Sequence, residues 1–154
     1  MASRESLPPL ALASFASVGY LALLVAGLGF ASAITNQDVI SVPGTSLIAA
    51  FVAAGIAIIA FGLFLLGPAS RARPSYWSAL STALGTAAVY LLALGACVLV
   101  SGGDLDRTLA VLGDVIVGWV TPVVAIAAAV AAWGALAMRR TSASRPRWPW
   151  EDEE

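Results

Sequence analysis

Residues 10–33 read LALASFASVGYLALLVAGLGFASA, a run with no charged side chain that is bounded by Pro9 on one side and by the polar Thr35-Asn36-Gln37-Asp38 on the other. At about 1.5 Å of rise per helical residue, such a run reaches across a hydrocarbon layer of roughly 30 Å. A helix without a polar face buries nothing by turning one side inward, so the stretch reads as a transmembrane helix. A secretory signal would place its apolar region over about 7–15 residues, and this run is longer, although Ala31-Ser32-Ala33 resembles a cleavage site.

Outward from that run the pattern repeats. Leu47 to Leu66 is again uncharged and is expected to close at Gly67-Pro68; a third run extends from Tyr76 to Val100 and stops at Ser101-Gly102-Gly103; a fourth is expected from Val115 to Met138, ending at Arg139-Arg140. The expected fold is therefore all-α: a polytopic membrane protein built as an antiparallel bundle of four transmembrane helices at about 10–33, 47–66, 76–100 and 115–138. Residues 1–9 form a cytoplasmic N-terminus and 139–154 a cytoplasmic tail. Composition agrees, since 60% of the residues are hydrophobic and 11% charged, against roughly 25% charged in soluble proteins.

Direction follows from arginine, the sole basic residue type. Arg4, Arg71, Arg73, Arg139, Arg140, Arg145 and Arg147 share one side of this arrangement and Arg107 lies on the other. The positive-inside rule makes the first side cytoplasmic, giving N-in and C-in. A lysine-free, Ala/Gly/Val/Leu-rich chain points to a high-GC bacterium and thus to the bacterial inner membrane.

The charge balance, eight basic against nine acidic residues, offers no basic surface for nucleic acid. There is no histidine, which removes the commonest general base and metal ligand. The single cysteine, Cys97, has no dyad partner and reads as a small buried apolar residue. No cofactor, metal or catalytic residue is expected. None of the four cores holds Asp, Glu, Lys or Arg, the groups that ion pumps and voltage sensors place there at a cost of roughly 2.5–3.5 kcal/mol each.

What polarity the spans have is hydroxyl. Ser78, Thr82, Thr86 and Tyr90 recur every four residues on the third helix, and Ser14, Ser17 and Tyr20 every three on the first. They are expected to face other helices as interhelical adhesion; the sharper reading is a pore or solute site lined by Tyr20, Thr82, Thr86 and Tyr90. Small residues, Gly55 and Gly62, Ala83 and Ala87, Ala125, Ala128 and Ala132, suit close packing, and Pro122 is expected to bend the fourth helix. Asp104 stands where it would cap a short amphipathic helix that carries Leu105, Leu109 and Leu112 along the membrane surface. In the tail, Trp148 and Trp150 are expected to anchor at the interface while Glu151 to Glu154 project into water, the alternative being a docking peptide.

Four spans, a Pro/Trp-rich tail that is basic and then acidic, and the lysine-free composition resemble the small uncharacterised integral membrane proteins of actinobacteria, whose families are domains of unknown function. The resemblance implies no activity and assigns no functional residue. Two functions stay open: a non-enzymatic structural or accessory membrane protein that packs against itself or a larger membrane complex, with the lipid bilayer as its constant partner, and a passive channel or transporter for a small uncharged solute.

Overall fold

The computed structural model describes residues 8–40, 42, 46–71 and 74–143; Trp148, Trp150 and the acidic end lie outside them. Among the described residues there are five helices and no strand: α1 (Pro9–Thr35), α2 (Leu47–Ala69), α3 (Trp77–Val100), α4 (Leu105–Val117) and α5 (Val120–Ala143). Four of these, all except α4, are long and apolar enough to cross a membrane.

Helix ends are set by local chemistry. Asn36 ends α1 in the left-handed region (φ 51°, ψ 38°), which asparagine tolerates. Ser46 caps α2, its side chain accepting from the Ile48 N–H at 3.2 Å. At the other end α2 runs on through Gly67 and Pro68 to Ala69. Proline is tolerated there because it removes one donor from the last turn, while its own carbonyl still accepts from the Arg71 N–H at 3.1 Å. Gly102 (φ 85°) closes α3. The Gly103 N–H reaches back to the Val98 carbonyl at 3.0 Å and the Gly102 N–H to Leu99 at 3.2 Å, the paired bonds of a Schellman turn.

The expected fourth span needs correction. Val115 to Val117 belong to α4, and the membrane-length helix begins at Val120. The chain breaks at Gly118, where a Cβ would lie 2.6 Å from the Asp114 carbonyl oxygen, so only glycine fits without moving backbone. Pro122 consequently falls in the first turn of α5, where its missing N–H removes no intrahelical bond. It marks a helix start in place of the bend within the helix that was expected of it. The Thr121 hydroxyl spans the break and donates to the Val115 carbonyl at 2.7 Å.

The four long helices neighbour one another in the order α1–α2–α3–α5 and back to α1. One diagonal is close, α2 touching α5, while α1 and α3 share no backbone contact across the other. The buried side chains explain the difference. Those of α2 and α5 include Ala53, Ala57, Ala128 and Ala132, all fully enclosed, whereas α1 and α3 contribute Tyr20 and Tyr90, the two largest enclosed side chains. Small residues let one pair of backbones approach; the tyrosines fill the space between the other. The outward faces remain apolar, with Phe15, Phe30, Phe51, Leu84, Leu92 and Ile126 among the exposed residues.

Candidate functional site

The interior of the spans is where chemistry, if any, would sit, because it gathers their polar groups. Thr82, Thr86 and Tyr90 occupy successive positions of one four-residue row on α3 and are 3%, 0% and 2% exposed; Tyr20 on α1 is 0% exposed. Ser78, at the start of the same row, is half-buried, Ser14 is exposed and Ser17 half-buried. The structure therefore encloses the four named candidates and leaves the outlying serines nearer the surface. The pattern follows the geometry of an i, i+4 row, which drifts around a helix and enters the core only over part of its length.

Tyr20 stacks on Phe61 of α2, with ring centroids 4.8 Å apart and planes at 29°. Next to this pair Ser17 approaches α2 so closely that a Cβ on Gly62 would lie 2.9 Å from its hydroxyl oxygen. The Phe64 ring covers Gly85 of α3, 3.1 Å from where a Cβ would stand. Gly55 and Gly67, by contrast, have no neighbour within 4 Å of such a Cβ, so of the three glycines on α2 only Gly62 serves a helix contact. Phe61 and Phe64 are the participants that residue spacing alone did not single out. A clue lay in the row Ala49, Ala53, Ala57, Phe61, Leu65, Ala69, in which a large aromatic interrupts small residues.

Two hydroxyls in this interior, those of Tyr20 and Thr86, are buried with no hydrogen-bond partner. Three other helix threonines turn back to a carbonyl four residues earlier: Thr35 to Ala31 at 2.8 Å, Thr108 to Asp104 at 2.9 Å and Thr141 to Ala137 at 3.0 Å. Thr86 makes no such bond.

Among the described residues open grooves run along seams between neighbouring helices, four of them free of Tyr20, Thr82, Thr86 and Tyr90. One of about 470 Å³ follows α1 and α5 past Leu23, Gly27, Phe30 and Val123. Another, of about 390 Å³, follows α2 and α3 past Val52, Ile56 and Cys97, which makes Cys97 a half-buried groove residue rather than a core one. The other two are walled by Ser14, Ser17 and Ile58 and by Tyr76, Leu80 and Trp133. All are mainly apolar, as surfaces that meet lipid chains or another helix would be.

At the end of the molecule where α3 begins and α5 finishes, the Arg140 guanidinium lies 4.3 Å above the Tyr76 ring, a cation–π contact that ties the two helix ends. At the opposite end α4 packs against α3 and α5 through Thr108, Val111 and Val115, and the Asp104 carboxylate caps it by accepting from the Arg107 N–H at 2.8 Å. Among the described residues no three His, Cys, Asp or Glu side chains come together as metal ligands would.

No curated protein and no solved structure matches this chain. A family model does match residues 3–154, almost the entire sequence, and its description is that of a family of unknown function. The chain belongs to that family, DUF6121.

Proposed function

We propose that the chain is a non-enzymatic structural or accessory integral membrane protein that packs against itself or against a larger complex in the bacterial inner membrane, the organism being an actinobacterium. In this reading the four long helices form an antiparallel bundle, N-in and C-in. The Arg71, Arg139 and Arg140 end meets the cytoplasm and α4 the exterior.

The observation that carries the reading is the direction of the polar side chains. Thr82, Thr86, Tyr90 and Tyr20 turn into the bundle, so the face left for a partner within the bilayer is apolar and grooved. Helix association in lipid rests on such close-fitting seams, because lipid tails provide no hydrophobic drive of their own. A helix of a second copy or of another subunit seats in a seam by shape, and the enclosed hydroxyls specify the bundle itself.

Purification from the native membrane in mild detergent tests it. Stoichiometric copurifying membrane subunits, or a self-association that persists on dilution, is the expected result. A lone oligomer in which Tyr20 and Tyr90 react with water-soluble reagents from both sides would favour the passive-channel alternative, for which the unpartnered hydroxyls of Tyr20 and Thr86 are the specific observation.

A further inference from the structure

We infer that the bundle encloses a water molecule between α1 and α3, hydrogen-bonded by the Tyr20 hydroxyl and the Thr86 hydroxyl, which links the two helices across the diagonal on which their backbones do not touch.

Three observations motivate it. The Tyr20 and Thr86 hydroxyls are both fully enclosed and without a protein partner, and a hydroxyl left unbonded in an apolar interior is strongly disfavoured. Thr86 does not take the carbonyl one turn back that Thr35, Thr108 and Thr141 take, so its hydroxyl remains available to a bridging group. Finally, α1 and α3 have no backbone contact, and the largest enclosed side chains of the bundle, Tyr20 and Tyr90, come one from each of these two helices.

A water can donate twice and accept twice, and a buried one ordinarily makes about three hydrogen bonds. Tyr20 and Thr86 supply two of these, one from each helix. An uncharged occupant is required, because among the described residues no enclosed side chain carries a charge. The bridge would give α1 and α3 the specific pairing that the small-residue contact gives α2 and α5.

The test uses the full-length protein in mild detergent, with Tyr20→Phe, Thr86→Val, Thr86→Ser and the Phe/Val double variant. With a shared water, Tyr20→Phe and Thr86→Val each lower Tm by roughly 2–4 °C, the shift one net hydrogen bond makes in a chain of this size. The double variant then falls no further than the worse single, and Thr86→Ser stays near wild type. Infrared difference spectra in ordinary and oxygen-18 water should show an isotope-sensitive O–H stretch in the wild type that Tyr20→Phe abolishes, and this readout stands even if Thr86→Val does not fold. A rise in Tm for Tyr20→Phe would mean that the hydroxyl is unbonded, and additive losses would mean separate partners. Coupled losses without the oxygen-18 band would mean a direct bond between protein groups. Each of these overturns the inference.

Discussion

Phe61 is fully enclosed and carries the ring on which Tyr20 rests, so its truncation isolates what packing contributes inside the bilayer. In a soluble core, Phe→Ala costs about 3–5 kcal/mol, of which transfer from water is a large part. Here the alternative surroundings are lipid tails as apolar as the core, which leaves chiefly the cavity part. Phe61→Ala is therefore expected to lower stability by about 2 kcal/mol, measured by denaturation in mixed detergent micelles; a loss of the full soluble magnitude would show that water reaches this level. Gly118 and Gly113 form a second comparison within one helix and its end. Gly118→Ala places a methyl 2.6 Å from the Asp114 oxygen and is expected to cost on the order of 1–3 kcal/mol, whereas Gly113→Ala meets nothing within 4 Å and replaces a poor helix former, so Tm should hold or rise. Composition and spacing revealed the hydroxyl row and its inward face, because four-residue recurrence maps directly onto a helix face. They did not reveal Phe61, since the partner of a side chain depends on how helices are set against one another, which no single helix encodes.

At the scale of the helix, α4 shows what hydropathy misses. Val115, Ile116 and Val117 are as apolar as the residues after the break, so a hydrophobic run passes across Gly118 without a seam. Two signals did mark the break: a glycine that no side chain can replace in place and a proline four residues on, which suits a first turn. The Asp104 cap, by contrast, was readable from an acid standing just before an apolar-periodic segment. The docked face of α4 is Thr108, Val111 and Val115, and beside it Leu105, Leu109 and Ile116 are exposed. Asp106 lies on a further side of the helix. Leu112, expected on the same side, instead packs over Gly95 of α3, and the arrangement predicts that α4 lies in the headgroup region with Leu105 and Leu109 toward lipid. Nitroxides at positions 105, 109 and 116 should relax more with oxygen than with a water-soluble nickel chelate, and one at 106 the reverse. Similar chelate access at all four positions would place the helix in open water. In the long helices the buried rows Leu12-Ala16-Tyr20-Leu24 and Val120-Val124-Ala128-Ala132-Leu136 advance by four. Rows of that inclination favour helices that cross in the right-handed sense over the left-handed winding of a heptad repeat.

For the molecule as a whole, the arginines make the side of each end a definite expectation. In a Cys97→Ala background, single cysteines at positions 38 and 106 should react with an impermeant maleimide from outside intact cells, and one at 71 only after lysis. Labelling of position 38 from the cytoplasmic side alone would reverse the orientation. The number of spans was legible because every one is an uncharged run of bilayer length, and their neighbour order was not, since equally greasy helices can be arranged around a square in more than one way. What decides the order is the fit of Gly27 under Val123, Gly62 under Ser17 and Gly85 under Phe64, contacts between residues far apart in the chain. The segment around α4 carries Asp104, Asp106 and Asp114 against one Arg107, and in the proposed orientation this excess of negative charge must be exported during assembly. An energised membrane, negative inside, drives each uncompensated negative charge outward by about 2.3 kcal/mol per 100 mV, so insertion of the α3–α5 pair should be electrophoretic: collapsing the potential with an ionophore during synthesis would slow the appearance of α4 outside, and substituting its aspartates with asparagine would remove that sensitivity.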